Sequence, residues 1–124
     1  MERKEITKIV NKVYPLICAD YNSTALVDFH KNIYVRISNI LAMEEHESYA
    51  EYSWSYNKIY LYTDNLNSEE DIIRSLIHEC VHSTQSHELY EIYKKECGLD
   101  YDTHPHEIEA EYEEEKWIKY KIKK

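Results

Sequence analysis

The apolar positions of this chain change period several times, and each change marks an element. Ile6, Ile9, Val10 and Val13 recur at the i, i+3, i+4, i+7 spacing of an amphipathic helix, which Pro15 is expected to end. Residues 33–37, Ile33-Tyr34-Val35-Arg36-Ile37, are β-branched and aromatic and read as a strand, while 38–47 fits a short helix or a loop. From 49 to 63 the pattern alternates: Tyr52, Trp54, Tyr56, Tyr60 and Tyr62 take even positions, Ile59 and Leu61 odd ones. Two short strands are expected there, about 49–54 and 58–63, with a turn near Asn57. Ser68 followed by Glu69, Glu70 and Asp71 has the form of a helix start, a capping hydroxyl with carboxylates in the positive first turn. Gly98, just after Lys94 and Lys95, marks the matching stop. A last helix opens near Pro105, with glutamates first and lysines last as the helix dipole prefers. The expected fold is α+β: an N-terminal helix, a small three-stranded antiparallel sheet, then two helices, in one domain spanning 1–124.

Size and charge narrow the partners. A chain of 124 residues suits one domain, and 43% hydrophobic residues favour folding over disorder. With 24 acidic against 15 basic residues the net charge is −9, which argues against a nucleic acid or an anionic membrane as partner. Three cysteines, Cys18, Cys80 and Cys97, form an odd set without CxxC spacing, so a disulfide framework is not expected. Lys and Glu interrupt the N-terminal stretch too often for a secretory core, and no apolar run approaches the ~20 residues that span a bilayer. A cytoplasmic location is the expectation. No feature sets an oligomeric state.

The chemistry concentrates in His78-Glu79-Cys80-Val81-His82. On a helix turning about 100° per residue, Ile72, Ile73, Leu76, Ile77, Cys80, Val81 and Thr84 share one half of the surface. His78 and His82 fall nearly opposite the centre of that stripe, roughly 40° apart and one turn from each other. Two imidazoles so placed can reach one tetrahedral zinc ion. Glu79 lies on the flank beside them, free to act on a water rather than on the metal. Cys80 points into the apolar stripe and reads as core. The blander interpretation is a pair of solvated surface histidines. His-Glu pairs at 46–47, 87–88 and 106–107 lack a completing histidine.

A catalytic zinc needs a third protein ligand and one open position. The last helix offers it, in His104-Pro105-His106-Glu107-Ile108-Glu109-Ala110. Ile108 and Tyr112, one turn apart, are expected to pack on the core, with Glu109, Glu113, Lys116 and Tyr120 on a neighbouring stripe. Glu109 is the chosen ligand, because the small Ala110 beside it allows two helices to approach, and Glu107 is its rival. Glu113 would accept the outer N–H of a ligating histidine and fix its tautomer.

The pairing of this motif with a downstream Glu-Ala resembles the small gluzincins, zinc peptidases with an HExxH helix and a glutamate third ligand. The resemblance is to the pared-down minigluzincins, including the ImmA/IrrE-type peptidases and short phage-type metallopeptidases, and covers about residues 49–113. It implies a zincin-like domain in which an edge strand holds peptide substrate. Lys58-Ile59-Tyr60-Leu61-Tyr62 matches that place, making Ile59, Tyr60 and Leu61 substrate-binding candidates. It also implies peptide hydrolysis, with Glu79 as the base on a zinc-activated water and Tyr101, His104 or His106 as donor to the oxyanion. Two departures stand out: Val81 where many relatives carry glycine, and the polar run Ser83-Thr84-Gln85-Ser86 after the second histidine. Beyond it the apolar positions shift face, so the helix is expected to break near Ser86 or to pack on a different neighbour.

Two other functions compete. A zinc-stabilised domain that cleaves nothing would bind a protein partner through the tyrosine-rich face of Tyr52, Trp54, Tyr56, Tyr60 and Tyr62. A metal-free helical adaptor is the third. Glu79 favours the enzyme, since a purely structural site has no use for a base there.

Overall fold

The structure, a computed structural model, describes residues 1–32 and 48–122. The strand expected at 33–37 and the ambiguous stretch after it lie outside the described residues.

Helix α1 (Arg3–Tyr21) buries Ile6, Val10, Val13 and Ile17 along one stripe. It does not stop at Pro15, which sits inside it. Pro15 lies on the exposed side and gives up one backbone hydrogen bond at a cost of about 3 kcal/mol. Beyond it Ile17 is fully buried and Tyr21 packs against the core, and together they offset that cost, so packing carries the helix through the proline. Asn22, with φ 54°, ends it in the left-handed conformation, its N–H donating to Cys18 O.

The sheet has three strands, β1 (Leu26–His30), β2 (Ala50–Ser53) and β3 (Lys58–Tyr62), in the order β1-β3-β2. β2 and β3 form the expected hairpin, with Asn57 at φ 52° in its turn. β1 pairs with β3 in parallel, Leu26 opposite Lys58 and His30 opposite Tyr62. The sheet is therefore mixed, not purely antiparallel as the sequence suggested. β3 is its centre. Ile59 and Leu61 join the core under the helices, and Tyr60 and Tyr62, on the opposite face, are buried as well.

Helix α2 (Glu69–Thr84) begins where expected, Ser68 Oγ accepting from Asp71 N at 3.1 Å. It packs on α1, on the last helix and on strands β2 and β3. Every residue from Ser75 to His82 is buried, so its histidine face is covered by protein too. The chain breaks at Gln85, and Ser86 caps a short helix α3 (His87–Glu91), Leu89 N donating to its hydroxyl at 3.1 Å. A wide turn over Ile92–Glu96 follows and closes at Gly98 (φ 66°), where Leu99 N reaches Tyr93 O at 3.0 Å. Helix α4 (Pro105–Glu114) opens with Pro105 in its first turn and continues as a tighter 3₁₀ turn, Glu115–Tyr120. Tyr120 and Lys119 pin that end to Asp20 of α1, at 2.6 and 2.9 Å. Among the described residues no helix is long and apolar enough to cross a membrane.

Candidate metal centre

α2 places His78 and His82 one turn apart, with ring centroids 4.8 Å from each other. Both rings aim Nε2 at one oxygen, Glu107 Oε1, at 3.0 Å from His78 and 2.9 Å from His82. The three donor atoms lie within 4.8 Å of one another, and all three residues are buried. Two imidazole nitrogens and one carboxylate oxygen converging from two helices could hold a single metal ion.

The third member is Glu107, not Glu109. Helix phase explains the correction. Glu107 and the small Ala110 are three residues apart, hence on one face, and both are buried against α2. Glu109 lies about 200° around from Glu107 and is exposed. The close approach that Ala110 permits therefore serves Glu107. The first turn of α4 also offers Glu107 the positive end of the helix dipole. On the outer side, Ile108 and Tyr112 are exposed, by 51% and 70%, and do not pack on the core as expected.

The outer ring nitrogens are held as well. His78 Nδ1 donates to Glu114 Oε2 at 2.6 Å, the role assigned to Glu113 from the sequence. Glu114 is two turns from Glu107 on the same face, whereas Glu113 points away and pairs with Lys116 at 2.6 Å. His82 Nδ1 donates to Gln85 Oε1 at 2.7 Å, and Gln85 Nε2 donates in turn to His106 O at 3.0 Å and Glu109 Oε1 at 2.9 Å. Tyr90 O–H donates to the other oxygen of Glu107 at 3.2 Å. Sequence reasoning missed Gln85, Tyr90 and Glu114. Glu114 had a signal, the seven-residue interval from Glu107, and Gln85 lay in the polar run already marked as unusual. Tyr90 had none, because the break after Thr84 sets its direction.

Burial works against charge on the rings, but hydrogen bonds to Glu107 and Glu114 outweigh it at His78 and raise its pKa to about 10. Burial opposes and Glu107 likewise overrides it at His82, whose pKa is also raised. Burial alone would raise Glu107, yet its hydrogen bonds from both rings hold it well below the usual carboxylate range. Glu79 is different. Burial pushes its pKa up, and the neighbouring histidines only partly oppose this. Cys80 stays in the core, its thiol raised by burial to about 12, and takes no part in the cluster.

Two hollows open beside the cluster and share a wall made by Ser48, Ala50, His78, Glu79 and Tyr101. One runs towards Arg74 and Glu111, the other towards Trp54, His82 and Glu107. The strand beside them is β2, not β3. Ile59, Tyr60 and Leu61 lie on the central strand with partners on both sides, and Ile59 and Leu61 are fully buried, so the expected substrate edge is not at 58–62. The tyrosine-rich face is dispersed too, since Tyr60 and Tyr62 are buried while Trp54 stacks on His87, 4.6 Å between ring centroids. Of the expected oxyanion donors, His104 Nε2 donates to Tyr90 O and His106 Nε2 to Ser86 O, both at 2.9 Å. Both histidines are buried and fasten the start of α4; Tyr101 alone of the three lines the hollows.

Compared with known proteins, the chain matches no protein-family model, no curated protein and no solved structure.

Proposed function

We propose that this protein is a zinc-dependent peptide hydrolase in which His78, His82 and Glu107 hold the ion and Glu79 is the general base. The observation that carries this reading is a three-donor cluster opening on hollows that Glu79 also lines. A structural zinc site takes four protein ligands and closes. Among the described residues no fourth His, Cys, Asp or Glu joins this group, which leaves room for water and substrate. A zinc ion bound there supplies Lewis acidity, bringing the pKa of a water to about 7 and polarising a carbonyl.

The chain's own residues do the rest. Glu114 and Gln85 keep the outer nitrogen of each ring protonated, so Nε2 is the face offered to the ion. Tyr90 holds the second oxygen of Glu107, which favours one-oxygen ligation. Glu79, with its raised proton affinity, is suited to take a proton from water and return it to a leaving amine. The tyrosine-rich face offered for non-catalytic binding is not one exposed surface, and nothing in its geometry favours that alternative.

Substituting Glu79→Gln tests the division of roles. The variant is expected to keep one zinc per chain and to lose peptide hydrolysis by at least about 10²-fold. Loss of the metal would show that Glu79 is a ligand, and unchanged hydrolysis would show that it is not the base.

A further inference from the structure

Helices α1 and α2 pack against each other, and each brings a cysteine to the place where they meet. Cys18 lies near the end of α1, and Cys80 lies between Glu79 and Val81 on α2. A run of hydrogen bonds brackets the pair. Ser23 N donates to Cys18 O at 3.0 Å, the Ser23 and Ser83 hydroxyls bond at 2.8 Å, and Ser83 Oγ donates to Cys80 O at 2.5 Å. Inside that bracket the two thiols contact each other, and the Tyr14 hydroxyl, which donates to Ala25 O at 2.6 Å, contacts both.

The two thiols differ in access. Cys80 is fully buried, whereas Cys18 is part-exposed. A small oxidant therefore meets Cys18 first, and Cys80 is in place to capture the product from the protein side. A disulfide needs its sulfurs about 2.05 Å apart, and thiols already in contact reach that by side-chain rotation with little movement of the backbone.

We propose that Cys18 and Cys80 are a reversible oxidation site, at which a hydroperoxide converts the two thiols into a disulfide between α1 and α2. Cys18 sulfur attacks one peroxide oxygen, the O–O bond breaks, and the departing oxygen leaves with the thiol proton, as water when the oxidant is hydrogen peroxide. Cys80 sulfur then attacks the sulfur of the Cys18 sulfenic acid, the S–O bond breaks, and the hydroxyl leaves with the Cys80 proton as water. Two thiols give up two electrons, and the peroxide takes them. The bond fastens α1 to the helix that carries His78, Glu79 and His82. The reaction needs neither metal nor hydrolysis, so its test is independent of the reading above.

The test treats the folded full chain with a small excess of hydrogen peroxide, alkylates the remaining thiols in denaturant and maps the peptides by mass. The wild type is expected to lose two of its three free thiols, to yield a Cys18–Cys80 linked peptide, and to recover both thiols in dithiothreitol. Cys97→Ser is expected to form the same link. Cys80→Ala is expected to stop at the Cys18 sulfenic acid, trapped with dimedone, and Cys18→Ser to leave Cys80 reduced. A folded wild type that goes to Cys18 sulfinic acid without a link, that links through Cys97, or that forms the link only after unfolding in urea would overturn the proposal. So would oxidation of Cys80 in a folded Cys18→Ser variant.

Discussion

Glu107 and Glu109 stand two positions apart and on opposite sides of α4, so only one can face the histidines. The same helix geometry gives Glu109 a lesser place in the same network. It accepts from the Gln85 amide, whose oxygen in turn fixes His82. A single amide thus ties the second histidine to the helix that carries Glu107. Gln85→Leu is expected to weaken zinc binding about 10–100-fold without abolishing it, and Glu114→Ala to act similarly through His78. Competition titration with a chromophoric chelator measures both, and unchanged affinity in either variant would deny that these groups orient the rings. At this scale the sequence was legible for the two histidines, where helical spacing is decisive. It was ambiguous for the carboxylate, because six glutamates crowd residues 107–115 and only packing sets their phase.

At the scale of elements, local chemistry was readable wherever one residue dictates backbone shape. Ser68, Asn57 and Gly98 act where their side chains or positive φ values require. Local rules failed at Pro15, where tertiary packing of Ile17 and Tyr21 prevails over a lost hydrogen bond. Pro15→Ala restores a donor for Asn11 O and is expected to stabilise the protein by about 1–3 kcal/mol, the lost flexibility of the unfolded chain subtracting a little. Urea unfolding measures it, and a destabilised variant would mean that the proline is required by its neighbours. β1 was missed for another reason. Only Val27 and Phe29 pack against the core there, too short an alternation to register, and parallel pairing with β3 leaves no local mark.

For the whole molecule, the cluster ties protons to stability, and a metal bound there would enter the same balance. His78 and His82 have pKa values raised above their ordinary 6.5, His78 to about 10. Their ion pairs stabilise the metal-free fold fully below pH 6.5, and that contribution fades as pH rises past each ring's raised pKa, about 10 for His78. Glu107, lowered from its ordinary 4.5, contributes above that pH and is lost as acid protonates it. Zinc bound as proposed would displace the ring protons, so its stabilising effect would grow in the direction in which theirs declines. The gain in melting temperature from zinc over chelated protein is expected to be larger at pH 8.5 than at pH 6. A gain that shrinks with rising pH would contradict the ligand set. The most direct test of the account is metal analysis of the purified wild type beside Glu107→Ala and Glu109→Ala. One zinc per chain in the wild type and in Glu109→Ala, and almost none in Glu107→Ala, is the predicted result. Full zinc in Glu107→Ala, or none in the wild type, would contradict it.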